Sequence, residues 1–253
     1  MGRGLPGADP FPAGEHHRSA PGREDQMLTL TTPLDAPPTA PRHAVEPAPA
    51  PQASALRFAV KHAAGWLLAL VAVVVLLPLL LVIAAAVKAS SPGPVLYRQR
   101  RVGRDGRTFD ILKFRSMGPA PVEARDFRPT AGSAPGGVEG TDRRTPVGKL
   151  LRRTSLDELP QLLNVLRGEM ALVGPRPERP EFVEQFSAEV DRYADRHRVR
   201  VGITGWAQVN GLRGQTSIAD RAAADNWYVD NHSLWLDVKT LALTARAVCR
   251  AAE

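Results

Sequence analysis

Hydrophobic and polar residues are distributed very unevenly along this chain of 253 residues, and the contrast divides it into three parts. Residues 1–55 are rich in Pro, Ala and Gly and have no hydrophobic periodicity, which predicts a disordered tail. Residues 56–90 contain a long uncharged apolar run. Residues 91–253 mix short apolar segments with many charges, and this length suits one modest folded domain.

The apolar run from Gly65 to Val87 would span about 35 Å as a single helix, enough to cross a hydrocarbon core of about 30 Å. Pro78 interrupts it, because a proline removes one helical hydrogen bond and its ring clashes with the preceding turn. A chain that bends there has two arms too short to cross, and basic residues flank both ends of the run. The pattern leaves two alternatives open: a re-entrant membrane helix broken at Pro78, and a spanning helix that tolerates the proline.

The folded part is predicted to begin with a β-hairpin. Residues 95–99 and 108–112 are strand-like, and Gly103-Arg104-Asp105-Gly106 between them contains the Asp-Gly pair typical of a turn. Residues 118–142 are rich in Pro, Gly and Ala, which predicts a mobile loop within the domain.

Helices are predicted to follow this loop. Threonine and proline open residues 145–153 in the order of a capped helix start. Leucines at helical spacing predict a helix over residues 159–166 with Gly168 as its C-terminal cap, and residues 178–193 predict another. Aromatic, aliphatic and basic residues at 227–246 are typical of a helix in the lipid headgroup region and equally of a core helix. The fold class is therefore α+β, mainly helical and membrane-associated.

The charge of the chain is concentrated in the part that follows the tail. The net charge is +7, but residues 1–55 hold four Arg against six Asp and Glu, a net of −2 that leaves +9 for the rest. Such a surface attracts anionic lipid heads, phosphorylated substrates or nucleic acid. The single cysteine, Cys249, excludes an internal disulfide framework and cysteine-based metal sites.

Two adjacent carboxylates, Asp157 and Glu158, are the strongest candidates for chemistry. Ser155 and Glu158 also fit a capping box, and Asp157 alone fits an N-cap position, so local pattern favours a structural role. The catalytic alternative uses the same geometry. Neighbouring side chains at a helix start point in different directions, so one carboxylate can attack phosphorus while the other holds Mg²⁺.

Basic residues near the pair could bind phosphate. Arg152 precedes it closely, and prolines on both sides of Arg176 restrict its backbone, which directs its side chain. Lys113 and Arg115 could add positive charge to the same site or face water. The histidines have no metal-ligand spacing, and the chain contains no Walker loop, Rossmann fingerprint or nucleophile elbow.

Several motifs occur in a fixed order between about residues 57 and 248. They are Ser91-Pro92-Gly93-Pro94-Val95, Gln99-Arg100-Arg101-Val102-Gly103, Lys113-Phe114-Arg115-Ser116-Met117, Ser155-Leu156-Asp157-Glu158-Leu159-Pro160-Gln161-Leu162, Leu172-Val173-Gly174-Pro175-Arg176-Pro177 and Gly202-Ile203-Thr204-Gly205-Trp206-Ala207-Gln208-Val209-Asn210-Gly211. Together they resemble the bacterial sugar transferase family, the monotopic polyprenyl-phosphate phosphoglycosyl transferases.

This resemblance implies an activity and a location. Members transfer a sugar 1-phosphate from a UDP-sugar to polyprenyl (undecaprenyl) phosphate and release UMP, the first membrane step of exopolysaccharide, capsule, O-antigen or other glycan assembly. It implies a catalytic domain on the cytoplasmic face of the bacterial inner membrane, in contact with membrane lipids. A homodimer and glycan-assembly proteins are further candidate partners.

The resemblance also implies roles for individual residues. Asp157 corresponds to the nucleophile, which forms a covalent phosphosugar-aspartyl intermediate, and Glu158 to a Mg²⁺ ligand. Arg152 and Arg176 correspond to phosphate-binding arginines. Pro78 corresponds to the proline that breaks the family's re-entrant helix, so the resemblance favours that topology.

Two rival hypotheses belong to other classes. The first is a catalytically idle membrane scaffold for a glycan-assembly complex. The second is a membrane-bound nucleic-acid binder, which only the positive charge supports, because the chain has no recognisable binding module. No nucleic-acid partner is therefore expected.

Overall fold

The computed structural model describes residues 52–118 and 142–252. The predicted tail, apart from its last four residues, and residues 119–141 of the predicted loop at 118–142 lie outside the described residues. Helices predominate in the described part, in agreement with the predicted α+β class. In chain order the elements are α1 (Gln52–Ser90), β1 (Leu96–Val102), β2 (Thr108–Phe114), α2 (Pro146–Arg153), α3 (Gln161–Leu166), β3 (Ala171–Val173), α4 (Pro180–Glu189), β4 (Gly202–Thr204), α5 (Trp206–Val209), α6 (Ile218–Asn231) and α7 (Leu234–Ala252).

The predicted hairpin is confirmed, with strands slightly longer than expected. Strands β1 and β2 pair antiparallel from Leu96 opposite Phe114 to Val102 opposite Thr108. Asp105 between them has a φ of 56°, a left-handed conformation that Asp tolerates better than most residues, and Gly106 follows it with a φ of 74°. The buried face of β2 then points into the domain core.

A second, parallel pair of strands was not predicted. Strand β3 lies beside β4, with Ala171 opposite Gly202 and Val173 opposite Thr204. Glycine is required where the chain continues from β3, because a Cβ on Gly174 would collide with the carbonyl oxygen of Arg200. This close backbone approach fixes the start of the Gly-Pro-Arg-Pro segment against β4.

Helix α1 is continuous and packs one face against the domain on both sides of Pro78. It is the one helix among the described residues that is long and apolar enough to cross a membrane. The helix is not interrupted at Pro78, although a break was predicted there. Re-entry of the helix into the membrane stays a prediction. The packed residues before and after the proline are Ala69, Ala72, Val73, Leu76, Leu80, Ile83, Ala84 and Val87.

The beginning of α1 is held by the two C-terminal helices. Lys61 Nζ lies 3.1 Å from Asp237 Oδ2 and also donates to the hydroxyl of Tyr228. Helix α7 buries Thr240 on this side, whereas Trp235 on its other side is 75% exposed. The C-terminal segment therefore has the buried face of a core helix and an exposed apolar face as well.

Candidate active site

The acidic pair lies in a short 3-10 helix, Leu156–Glu158, between α2 and α3. Ser155 before it has a left-handed backbone with a φ of 58°, so the chain turns sharply as it leaves α2. Both capping interpretations are wrong: Ser155 makes no side-chain capping bond, and α3 begins later, with Pro160 in the N-cap position. Helix capping therefore does not account for the two carboxylates.

Glu158 is held by two cations that come from distant parts of the chain. Lys113 Nζ, on β2, donates to Glu158 Oε1 over 2.7 Å, and Arg176 Nη2 donates to the same oxygen over 2.9 Å. Burial alone would raise the pKa of Glu158, but Arg176 and Lys113 together outweigh it and hold the pKa well below its usual range. Glu158 is therefore an anion at any physiological pH.

Asp157 has a different environment, although it is the adjacent residue. It is buried, with 7% of its surface exposed, and among the described residues it has attractive charges nearby but no hydrogen-bond partner of its own. Burial raises its pKa, and the neighbouring Glu158 adds to that, while Lys113, Arg152 and Arg176 oppose it. A poorly solvated carboxylate among cations is suited to attack an electrophile.

Three of the predicted cations surround this pair. Lys113 and Arg176 contact Glu158 directly, and Arg152 lies close enough to Asp157 to lower its pKa. Arg152 Nη1 also lies 3.6 Å from Met117 Sδ, which places the end of α2 beside the end of the hairpin. The structure thus gathers Asp157, Glu158 and these cations from four segments of the chain.

Arg115, the fourth predicted cation, is engaged elsewhere. Its guanidinium donates to the carbonyl oxygens of Val87 and Ser91, over 3.3 and 2.7 Å, and to that of Pro94. These acceptors lie at and just after the end of α1, where helix carbonyls lack partners within the helix. Arg115 therefore joins the end of the apolar helix to the hairpin.

Sequence reasoning missed the residues that hold the Arg176 segment. The carbonyl oxygen of Arg176 accepts from Arg196, and that of Pro177 accepts from Arg101. Both arginines are separated from these carbonyls by 20 or more residues, and no local pattern in the sequence assigns them this role. Only the three-dimensional contacts reveal them.

The expected Mg²⁺ would need oxygen ligands at this site. Among residues 52–118 and 142–252, no group of three or more His, Cys, Asp or Glu side chains could hold a metal ion. Mg²⁺ in phosphate-handling sites, however, is usually held by one or two carboxylates together with substrate phosphates. Glu158 Oε2 lies 3.5 Å from Arg176 Nη1, a long contact, so this oxygen keeps acceptor capacity. The residues fit an ion shared with a bound phosphate.

These features define a basic, carboxylate-centred site beside an apolar helix. Residues 56–251 match the bacterial sugar transferase family, and the chain belongs to that family.

Individual relatives agree with this assignment. The chain is 45% identical over 183 residues to a UDP-glucose:undecaprenyl-phosphate glucose-1-phosphate transferase of Xanthomonas campestris, covering 71% of this chain and 36% of that protein. It is 42% identical over 193 residues to a UDP-N-acetylgalactosamine-undecaprenyl-phosphate N-acetylgalactosaminephosphotransferase of Aeromonas hydrophila, covering 75% of this chain and 43% of that protein. It is 40% identical over 197 residues to the exopolysaccharide production protein ExoY of Sinorhizobium fredii, covering 72% of this chain and 82% of that protein. The chain thus spans less than half the length of the first two relatives.

Proposed function

We propose that this protein transfers a sugar 1-phosphate from a UDP-sugar to polyprenyl phosphate and releases UMP. The observation that carries the proposal is the contrast within the acidic pair. Glu158 is paired with Lys113 and Arg176, whereas Asp157 is buried among cations without a hydrogen-bond partner in the described part of the chain. The names of the relatives, which refer to UDP-sugars and undecaprenyl phosphate, support the choice of substrates.

In the first step, the carboxylate of Asp157 attacks the phosphorus atom that bears the sugar. A bond forms between the Asp157 oxygen and phosphorus, the bond from that phosphorus to the bridging oxygen breaks, and UMP leaves with the bridging oxygen. Arg152, Arg176 and Lys113 offset the negative charge that would otherwise repel two anions from each other.

In the second step, a phosphate oxygen of polyprenyl phosphate attacks the same phosphorus. The bond between phosphorus and Asp157 breaks, the carboxylate is regenerated, and the product is a polyprenyl diphosphate sugar. The two steps replace one difficult transfer between soluble and lipid substrates by two similar displacements at one side chain.

Mg²⁺, when bound, would neutralise phosphate oxygens and so ease the approach of an anionic nucleophile. Glu158 is the residue that would hold it, together with phosphate oxygens of the substrate. Arg176 and Lys113 keep the carboxylate of Glu158 ionised and fixed in direction, as a metal ligand must be.

We further propose that α1 enters the bilayer and returns to the cytoplasmic side. Its packed face contacts the domain on both sides of Pro78, so a helix that crossed the bilayer would bring charged domain surface into the hydrocarbon region. A shallow helix bent at Pro78 would expose only its opposite, apolar face to lipid.

In a Cys249→Ser background, single cysteines placed at Ser54 and Ser90 should both react with an impermeant thiol reagent from the cytoplasmic side only. Labelling of the two positions from opposite sides would establish a spanning helix.

The activity is tested with purified full-length protein, undecaprenyl phosphate, Mg²⁺ and a panel of UDP-sugars. UDP-glucose and UDP-N-acetylgalactosamine come first, since the relatives are named for these sugars. Release of UMP together with a lipid-linked diphosphate sugar supports the proposal. Release of UDP would indicate ordinary glycosyl transfer instead, and a protein inactive with every sugar would favour the scaffold hypothesis.

A further inference from the structure

The backbone of the Arg176 segment is held by guanidinium groups from two separate elements. Arg196 Nη2 donates to the carbonyl oxygen of Arg176 over 2.9 Å, and Arg101 Nη1 donates to the carbonyl oxygen of Pro177 over 3.2 Å. The orientations of two successive carbonyl groups are therefore fixed, and the first of them belongs to Arg176, whose side chain binds Glu158.

Arg196 is itself held on three sides. Its Nη2 lies 2.5 Å from Asp225 Oδ2 on α6, and its Nη1 donates to the hydroxyl of Tyr193 over 2.8 Å. Arg196 has no exposed surface and Asp225 only 1%. Removing two charges from water is costly, and an apolar pair of similar volume is often at least as stabilising. Stability alone therefore gives little reason for an ion pair at this position.

Arg101 belongs to a second arrangement of the same kind. Its Nη1 also donates to Glu178 Oε1 over 2.9 Å, and Arg221 Nη1 lies 3.9 Å from the other oxygen of Glu178. The backbone of Glu178 accepts from the amide of Val102 on β1. The Arg176 segment is thus fixed from the hairpin on one side and from α6 on the other.

We propose that Arg196 and Asp225 are positioning residues, which hold the Arg176 carbonyl so that the Arg176 guanidinium stays on Glu158 and faces the substrate phosphate. The inference rests on the proposed function. Pro175 and Pro177 already restrict the backbone on both sides of Arg176. The contact from Arg196 also fixes the orientation of the peptide group between Arg176 and Pro177. A displacement of about 1 Å in such a group can cost about a hundredfold in rate.

A double-mutant cycle separates positioning from a general structural role. Arg196→Lys keeps the charge but cannot make all three contacts of the planar guanidinium. In the wild-type background it should lower kcat at least tenfold. In an Arg176→Lys background the same change should lower kcat less than twofold, because Arg196 acts through Arg176. Equal losses in both backgrounds would overturn the inference. The loss in Tm should be the same in both backgrounds.

The matched control is Arg198→Lys on the same turn of chain. Arg198 pairs with Asp230 on α6 as Arg196 pairs with Asp225, but both partners are almost half exposed. Its turnover should stay within twofold of wild type. If Arg196→Lys does not fold, Asp225→Asn takes its place in the cycle, since it weakens the contact that holds Arg196 and leaves every arginine in place.

A second readout needs no substrate. In wild-type protein in nanodiscs, the side-chain ¹⁵N resonances of Arg176 should show a guanidinium with restricted rotation, and Arg196→Lys should make it rotate freely. An Arg176 signal that is unchanged by Arg196→Lys would overturn the inference even if turnover fell. If wild-type protein releases no UMP with any sugar, the proposed function fails, and this measurement still decides whether Arg196 positions Arg176.

Discussion

Arg176 Nη2 lies 2.9 Å from Glu158 Oε1, although the two residues are 18 positions apart and belong to different segments. The same oxygen accepts from Lys113, so one carboxylate joins two cations. Removing its charge would leave two cations facing each other and the candidate phosphate site without its organising anion.

Glu158→Gln is therefore expected to lower kcat at least a hundredfold, the order expected when a preorganised electrostatic group is lost. It should also lower the free energy of unfolding by about 1–3 kcal/mol, since two partly buried cations lose their shared partner. UMP release and urea denaturation in detergent measure the two effects. Glu181→Gln is the control, because Glu181 contacts Arg179 but its own side chain is exposed; a similar loss there would contradict this explanation.

Asp157→Asn is expected to abolish turnover, to less than a thousandth of wild type, and yet to raise Tm at pH 7. Folding raises the pKa of Asp157. The contribution of this residue to stability is therefore fully present below about pH 3.9, and it is lost as the pH rises through the pKa of the folded state. The difference in Tm between variant and wild type should thus shrink towards acid pH. Scanning calorimetry between pH 4 and 8 checks this, and a variant less stable at pH 7 would show that burial is not the dominant influence on Asp157.

Gly174→Ala is expected to reduce the free energy of unfolding by about 1–3 kcal/mol or more. The new Cβ would collide with the backbone of Arg200, and neither backbone segment can move easily. Turnover should fall as well, since Arg176 lies two residues further on. Gly65→Ala in α1 is the matched control: its Cβ would meet no atom within 4 Å, and alanine should favour the helix by about 0.5–1 kcal/mol. Denaturation curves of both variants would distinguish a collision with the neighbouring backbone from a general effect of replacing glycine by alanine.

Arg115→Ala should affect stability and leave substrate binding unchanged. Its contacts with the carbonyls after α1 predict a loss of about 1–3 kcal/mol in the free energy of unfolding. The KM for the UDP-sugar should stay within twofold of wild type. A tenfold rise in KM at unchanged stability would instead support the substrate-binding role that the sequence suggested.

Local sequence signals predicted the local structure well. The Asp-Gly turn, the hairpin and the start of α2 at Pro146 all depend on contacts between residues close in the chain. Thr145 accepts the backbone amide of Gly148, as the capping pattern predicted. The same kind of pattern failed at Ser155, and Glu158 is paired there with two cations from distant parts of the chain.

Features that depend on distant partners were not predictable in this way. Strands β3 and β4 have three residues each and are separated by about 30 positions, so neither gives a periodic signal. The buried pair of Arg196 and Asp225 looks, in sequence, like two charges on a solvated surface. The site roles of the acidic pair and of its three neighbouring cations were predicted from the family resemblance rather than from local propensity, and the structure places these residues together.

The way α1 packs has a practical consequence for preparing the protein. Ala69 and Val87 have no exposed surface, and Phe109, Ile111, Phe114 and Leu151 of the domain are covered partly by this helix. The apolar helix consequently forms part of the hydrophobic core, in addition to the membrane contact proposed for it. Deleting it to obtain a water-soluble catalytic fragment would uncover that core and yield aggregates, so crystallisation and screening require the intact chain in detergent or lipid.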